Sequence, residues 1–374
     1  MQPRTRRHLS AATFTWLWLT SGSAEAQVTP AAAYVPPDDT PSVRVGVTLF
    51  GDFTMVQEPK ITDADGNRVS PSAFNIARAY VNVTGNISHV VAFRITPDIA
   101  RETGTGSSLA GSYTYRLKYA YVQFNLDEWI NPGRTGTWAR FGSQQTPWVD
   151  FIDTVYRYRF QGTTFEDRET ILASADVGAA MRYVLPGNYG DIHGGIYNGD
   201  NYNRADPNDQ KALMVRGTLR PMRSHPVLRG LRLTGFYDHD TYVKNAERRR
   251  GIFAATFEHP YVNLAANYLS TADQTRVINP KLDSHGFSVW ATPKTPKGYG
   301  WEGLLRYDRL IQEQATTTVE GKRGRTIAGI AYWFPRQGSV SAAMLLDYEQ
   351  VTNRSYAPVR SNERRWALHA LVNF

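Results

Sequence analysis

Strict alternation between two kinds of side chain is the property that most restricts what this chain can fold into. It is cleanest over Trp366-Ala367-Leu368-His369-Ala370-Leu371-Val372-Asn373-Phe374. One parity holds Trp366, Leu368, Ala370, Val372 and Phe374, and the other holds Arg365, Ala367, His369, Leu371 and Asn373. A period of two is that of a β-strand, whose successive side chains point to opposite sides. One apolar and one mixed face suit lipid on one side and a wet lumen on the other. The first such segment, residues 42–56, sets Val43, Val45, Val47, Leu49, Phe53 and Met55 against Arg44, Thr48, Asp52 and Thr54. Fourteen more follow, predicted at residues 74–87, 89–99, 113–126, 137–146, 174–185, 191–199, 211–220, 231–240, 249–258, 261–271, 284–292, 301–310, 323–334 and 339–351, before the last at 363–374. Sixteen strands with no long helical period predict an all-β fold, a transmembrane antiparallel β-barrel over residues 42–374, because strands cross lipid only in a closed sheet.

The N-terminus agrees with an exported chain. Arg4, Arg6, Arg7 and His8 precede an apolar run from Ala11 to Leu19 and then Ala24-Glu25-Ala26. This is the layout of a secretory signal peptide over residues 1–26. The run is about half the roughly 20 residues that a membrane-spanning helix needs. Residues 27–41, with Pro36-Pro37, read as a leader to the barrel. Removing residues 1–26 takes away three Arg and one Glu, which lowers the formal charge from +8 to +6. No cysteine occurs, so thiolate metal sites and thiol nucleophiles are excluded. A mean hydropathy of −0.43 ordinarily marks a soluble protein, but in a barrel only every second residue meets lipid. The 21 Tyr and 9 Trp are enough to furnish aromatic girdles at both membrane interfaces. An exported chain does not meet nucleic acid, so the basic charge points elsewhere.

Starting and finishing in the periplasm requires an even strand count with alternating short and long links. Asn86-Ile87-Ser88, Pro186-Gly187-Asn188-Tyr189-Gly190, His259-Pro260 and Pro335-Arg336-Gln337-Gly338 carry tight-turn chemistry. Longer polar loops are predicted at residues 57–72, 199–210, 272–283 and 352–362. The longest, about 147–171, is the third on the long-link side and contains Asp150, Asp153, Arg157, Arg159, Glu166 and Asp167 among aromatic residues. It is expected to fold into the lumen; the plain alternative is a surface loop.

The same parity places Arg44, Arg78, Arg94, Arg140, Arg182, Arg216, Arg232, Arg250, Arg306, Arg325 and Arg365 away from lipid, together with Asp52, Asp98, Asp176, Asp238, Glu258, Glu302, Asp308, Asp347 and Glu349. Eleven cations against nine carboxylates allow two readings: an anion-attracting wall, or ion pairs that brace the lumen. Arginines facing the acids of an inserted loop would set a transverse field across the constriction.

Five stretches, in order along these strands, resemble the phosphate-selective porin O and P family. They are Arg78-Ala79-Tyr80-Val81-Asn82-Val83-Thr84-Gly85 with Phe93-Arg94-Ile95-Thr96-Pro97-Asp98, then Arg140-Phe141-Gly142-Ser143-Gln144-Gln145-Thr146-Pro147-Trp148, Asp176-Val177-Gly178, Gly195-Ile196-Tyr197-Asn198-Gly199, and Arg216-Gly217-Thr218-Leu219-Arg220-Pro221. The resemblance implies a sixteen-stranded, usually trimeric diffusion porin. The chain departs from it in having only eight lysines, with Lys60, Lys244, Lys281, Lys294, Lys297 and Lys322 expected in loops or turns. Phe374 likewise resembles the terminal aromatic signal read by the barrel assembly machinery, and the last strand is expected to close beside Val43.

The expected function is passive diffusion of small hydrophilic solutes, with an anion bias, through a homotrimer set among outer-membrane lipid and lipopolysaccharide, without a cofactor, a bound metal or a catalytic residue. A substrate-specific phosphate or organic-anion channel is the first alternative. Asp238-His239-Asp240 is the one cluster that would suit a barrel hydrolase or a metal, with solvated loop residues as its plain reading. A secreted soluble β-sandwich is the third. Asp63-Ala64-Asp65-Gly66-Asn67 resembles the start of a calcium loop but lacks its closing Glu, and a turn at Asp65-Gly66 accounts for it.

Overall fold

A computed structural model describes residues 39–374 apart from 105, 133, 134 and 337–339. The expected signal peptide, nearly all of the leader, and the Gln337-Gly338 turn lie outside the described residues. Sixteen antiparallel strands form one closed barrel. In chain order they are β1 (Ser42–Glu58), β2 (Ser72–Asn86), β3 (Val91–Arg101), β4 (Tyr113–Asn125), β5 (Trp138–Gln145), β6 (Ala175–Val184), β7 (Gly190–Tyr197) and β8 (Ala212–Leu219). They continue as β9 (Leu231–Val243), β10 (Ala246–His259), β11 (Val262–Asp273), β12 (Leu282–Pro293), β13 (Gly300–Gln314), β14 (Thr317–Trp333), β15 (Ser341–Arg354) and β16 (Glu363–Asn373). The strand count matches the alternation, and one closed sheet replaces the soluble-sandwich alternative.

The ring closes where β1 pairs with β16, with Leu49 opposite Val372, Phe53 opposite Leu368 and Met55 opposite Trp366. Phe374 adds the last rung. Its N–H donates to the Val47 carbonyl at 2.9 Å, and its carbonyl accepts from the Val47 N–H at 3.1 Å. The terminal residue therefore sits at Val47 and not at Val43, because Ser42–Gly46 runs past the end of β16 and pairs only with β2. Both chain ends of the barrel lie at one rim, called here the terminal end; the other is the loop end.

Alternation does what the sequence implies. Val43, Val45, Val47 and Leu49 on β1, Leu305 and Tyr307 on β13, and Trp366, Leu368 and Val372 on β16 all face outward and exposed. Aromatic pairs bracket this belt: Trp301–Tyr332 and Tyr332–Phe334 at the terminal end, 5.1 and 5.2 Å between ring centroids, and Tyr348–Trp366 and Phe287–Tyr307 toward the loop end, at 5.1 and 5.9 Å.

The links depart from strict short–long alternation. At the loop end, Lys244-Asn245 and Ala315-Thr316 are two-residue turns, where the alternation had suggested longer breaks. Asn245 takes the left-handed backbone such a turn requires, with φ 66. As a result β13 and β14 are long, and Lys322, expected in a loop, stands inside β14. The Asp63 loop is a turn: its carboxylate accepts the N–H groups of Asp65 and Asn67 at 3.0 and 2.8 Å, beside Gly66 at φ 85.

An arginine at mid-belt must lose water to lipid, at a cost of about 2–4 kcal/mol. Leu368→Arg is expected to lower the stability of the barrel, refolded into vesicles and unfolded in urea, by about that amount. Equal stability would show that this face does not meet lipid.

Candidate functional site

Three short helices lie in the links: α1 (Asp127–Ile130), α2 (Pro147–Val155) and α3 (Phe165–Arg168). The last two belong to the loop between β5 and β6. Its neck is pinned where the Thr146 hydroxyl donates to the Ala173 carbonyl at 2.7 Å. Pro147 starts α2 at a position where its missing N–H is not needed. Trp148, Val149, Phe151, Ile152 and Val155 are buried along the helix, and Tyr156, Tyr158, Phe160 and Phe165 beyond it.

These side chains pack on inward-facing residues of the far wall. Trp148 meets Phe236 of β9 at 6.2 Å, Tyr156 meets Trp290 of β12 at 5.3 Å, and Tyr158 and Phe160 each lie 5.9 Å from Trp333 of β14. Phe160 also reaches His369 of β16 at 6.4 Å. Gly286 of β12 leaves room for Phe165, whose ring tip would stand 2.9 Å from any Cβ there. Each buried aromatic of this size contributes roughly 1.5–3 kcal/mol, which a solvated loop would not gain.

Polar contacts complete the seat and consume much of the arginine set. Arg250 donates to the Ile171 carbonyl at 3.0 Å and to Asp273 at 2.7 Å. Arg306 donates to the Thr163 carbonyl at 2.9 Å and clasps Asp308. Arg325 reaches Glu169 at 2.9 Å and Glu349 at 2.5 Å. Glu349 also receives Arg168 at 2.7 Å, Arg365 at 2.6 Å and the Gln161 amide at 3.0 Å. Arg157 of the loop pairs with Glu302 at 3.3 Å and lies over the Trp333 ring at 3.4 Å. Glu166 is buried and accepts from Asn267.

Other arginines brace the wall itself. Arg182 and Arg216 share Asp191, and Arg232 pairs with Glu258. Arg140 donates to Gln123 at 2.8 Å, covers the Trp138 ring at 3.7 Å and stands 4.0 Å from Asp150. Arg94 donates to Asn82 and Thr96, both at 2.9 Å. Arg44 is on the same side but exposed at the terminal end.

What remains gathers on β2–β4 opposite the loop. Arg78 and Arg116 converge on one buried carboxylate, Asp98. Beside them the Lys118 ammonium stands 3.5 Å from the Tyr80 hydroxyl and 5.1, 5.3 and 5.9 Å from the ring centres of Tyr80, Tyr119 and Tyr202. Among the described residues no carboxylate lies within ion-pair distance of Lys118. From the loop, Arg159 pairs with Asp153 at 2.5 Å and stands 3.8 Å from Asp167, within electrostatic range of Tyr80 and Tyr119. Burial pushes the Asp153 carboxyl up to about 6, against the pull of Arg159.

The alternation missed Lys118, Arg116, Tyr80, Tyr119 and Tyr202. The register slips at Thr96/Pro97, so Lys118 is an extra residue in β4, and both it and Tyr119 turn inward. A bulge reverses parity, and the signal for it was Pro97 in mid-strand, where a ladder donor is missing. The Asp238-His239-Asp240 cluster does not assemble. It lies in β9 and not in a solvated loop, with Asp238 and Asp240 buried on the inner face and His239 on the outer one.

No family model matches the chain, and no curated protein matches it in sequence. Its fold is nonetheless found among solved structures. The chain is similar to outer-membrane expressed OmpT of Vibrio cholerae, with 12% identity over 91% of this chain and 100% of that one and a TM-score of 0.58. It is similar to an anion-selective porin from Comamonas acidovorans, with 11% identity over 90% and 100% and a TM-score of 0.58. It is similar to Salmonella typhi OmpF, with 11% identity over 90% and 98% and a TM-score of 0.60. At such identities the likeness is one of fold, the sixteen-stranded porin barrel.

Trp333→Ala removes the plate under Tyr158, Phe160 and Arg157. The expected cost is roughly 3–5 kcal/mol in denaturant unfolding. Trypsin should then cut at Arg157, Arg159 or Arg168, sites protected in the parent; unchanged protection would show that the loop is held elsewhere.

Proposed function

We propose that this protein is an outer-membrane porin, a passive channel for small hydrophilic solutes with a bias toward anions. The observation that carries the reading is the unequal use of charge across the lumen. Around the loop seat each arginine is within ion-pair distance of a carboxylate, three of them on Glu349. On β2–β4, Arg78 and Arg116 share one carboxylate and Lys118 has a tyrosine cage in place of one, facing Asp153, Asp167 and the Arg159 that pairs with them. A solute passing there meets three wall cations with one carboxylate between them, and Arg159 with two acids on the loop. The apolar belt and its girdles support placement among outer-membrane lipid and lipopolysaccharide, and the rung made by Phe374 is consistent with recognition by the assembly machinery. A homotrimer fits this reading: one solved structure of OmpT is described as a trimer form. No catalytic step is invoked.

A second reading has its own observation. Phe50, Tyr80, Lys118 and Tyr119 are all no more than 3% exposed, so the passage between β2–β4 and the loop is narrow. A narrow basic passage lined by tyrosines favours a substrate-specific phosphate or organic-anion channel.

Planar-bilayer recording separates these readings. The parent in a potassium chloride gradient is expected to give a reversal potential of anion-favouring sign. Lys118→Glu combined with Arg78→Gln should reverse that sign, because net charge at a low-dielectric constriction sets ion entry. Arg182→Gln, at the Asp191 brace, should leave it unchanged. Failure to conduct would overturn the channel reading, and an unaltered potential would overturn the role given to Lys118. Block of the current by millimolar inorganic phosphate or benzoate would favour the specific channel.

A further inference from the structure

The outer face of the barrel carries a second group of cations, which the pore does not use. On β13–β15 the outward residues rise from the belt to the loop end in register. Tyr307 is level with Thr326 and Gln350; the next row holds Arg309, Gly324 and Thr352; the row above it holds Ile311, Lys322 and Arg354. Lys322 and Arg354 are therefore direct cross-strand partners, a like-charge pairing that weakens a sheet unless an anion lies between them. Arg309 stands one row below.

None of the three makes an ion pair within 4.0 Å among the described residues, although Glu313 and Glu320 share the face nearer the loops. Gly324, at the centre, is buried beneath its neighbours. Any Cβ there would lie 3.0 Å from the Thr352 hydroxyl, 3.6 Å from the Tyr307 hydroxyl and 3.8 Å from an Arg309 guanidinium nitrogen. Two hydroxyls and the Arg309 guanidinium thus close over Gly324, with Lys322 and Arg354 one row above. This patch sits just above the Phe287–Tyr307 and Tyr348–Trp366 pairs that bound the apolar belt. A ligand seated there would have apolar belt directly below it and cations around it, which is the profile of an acyl-chain lipid with phosphate on its headgroup.

We propose that Arg309, Lys322 and Arg354, set around Gly324, dock the phosphates of a membrane lipid headgroup at the loop end of the barrel. The site rests on the membrane setting proposed above but not on the channel reading. Arginine forks two phosphate oxygens, and the lysine and second arginine offset the remaining charge. The bound anion removes the repulsion between Lys322 and Arg354, so lipid binding stabilises this wall.

The test is native mass spectrometry of the full chain in detergent micelles with lipid A, its dephosphorylated form, or inorganic phosphate as probes. The parent should retain lipid A and not the dephosphorylated form, and millimolar inorganic phosphate should not displace it. Arg309→Gln, Lys322→Gln and Arg354→Gln together should lower retention by roughly a hundredfold, from about fivefold per cation near a charged headgroup. Arg249→Gln, on the outer face of β10, should leave retention as in the parent, and heat-modifiable migration on a gel confirms that each variant is a closed barrel. Equal retention by the triple variant would overturn the proposal, as would displacement by free phosphate. Conductance is read in parallel: a barrel that binds lipid but does not conduct contradicts only the channel reading.

Discussion

Every other feature of this molecule depends on the pairing of β1 with β16. In hydrocarbon no water is available to satisfy a free sheet edge, so a spanning sheet must return upon itself. Once the ring is shut, alternation divides the side chains without further instruction, one set to lipid and the next to the interior. The charged composition and the membrane belt then cease to conflict, since they occupy opposite sides of one sheet.

The interior shows how a charged wall and a narrow passage are reconciled. An arginine buried without a partner is costly, so most of the inner arginines are held by carboxylates, loop carbonyls or amides. Arg250, Arg306 and Arg325 are the clearest cases: their guanidiniums grip the β5–β6 loop or its acids, which makes them supports of the constriction. The wall on β2–β4 is different, because Lys118 there is held among tyrosines and, among the described residues, by no carboxylate.

Most of the barrel was legible in the sequence because a period of two is a local property, and sixteen segments showed it. What escaped depends on breaks in that period or on contacts distant in sequence. Lys118 was hidden by a bulge that Pro97 alone announced, and Lys322 by a two-residue turn at Ala315-Thr316 that lacks the usual Gly or Asn. His239 looked like part of a cluster because three adjacent letters suggest proximity, whereas a strand sends neighbours to opposite faces. The alternation puts the arginines on one face, but which of them the loop engages follows only from partners such as Ile171, Thr163 and Glu169.

The anchorage of the β5–β6 loop has a consequence for the order of assembly. Its partners come from β9, β12, β14, β15 and β16, so chain made early must wait for chain made last. The loop's grip on Glu349 and His369 is complete only once the final strands have arrived. Earlier strands already offer Phe236, Trp290 and Trp333 as a seat, and the last two add Glu349 and His369. The strands that shut the ring thus also set the last anchors of the loop inside it.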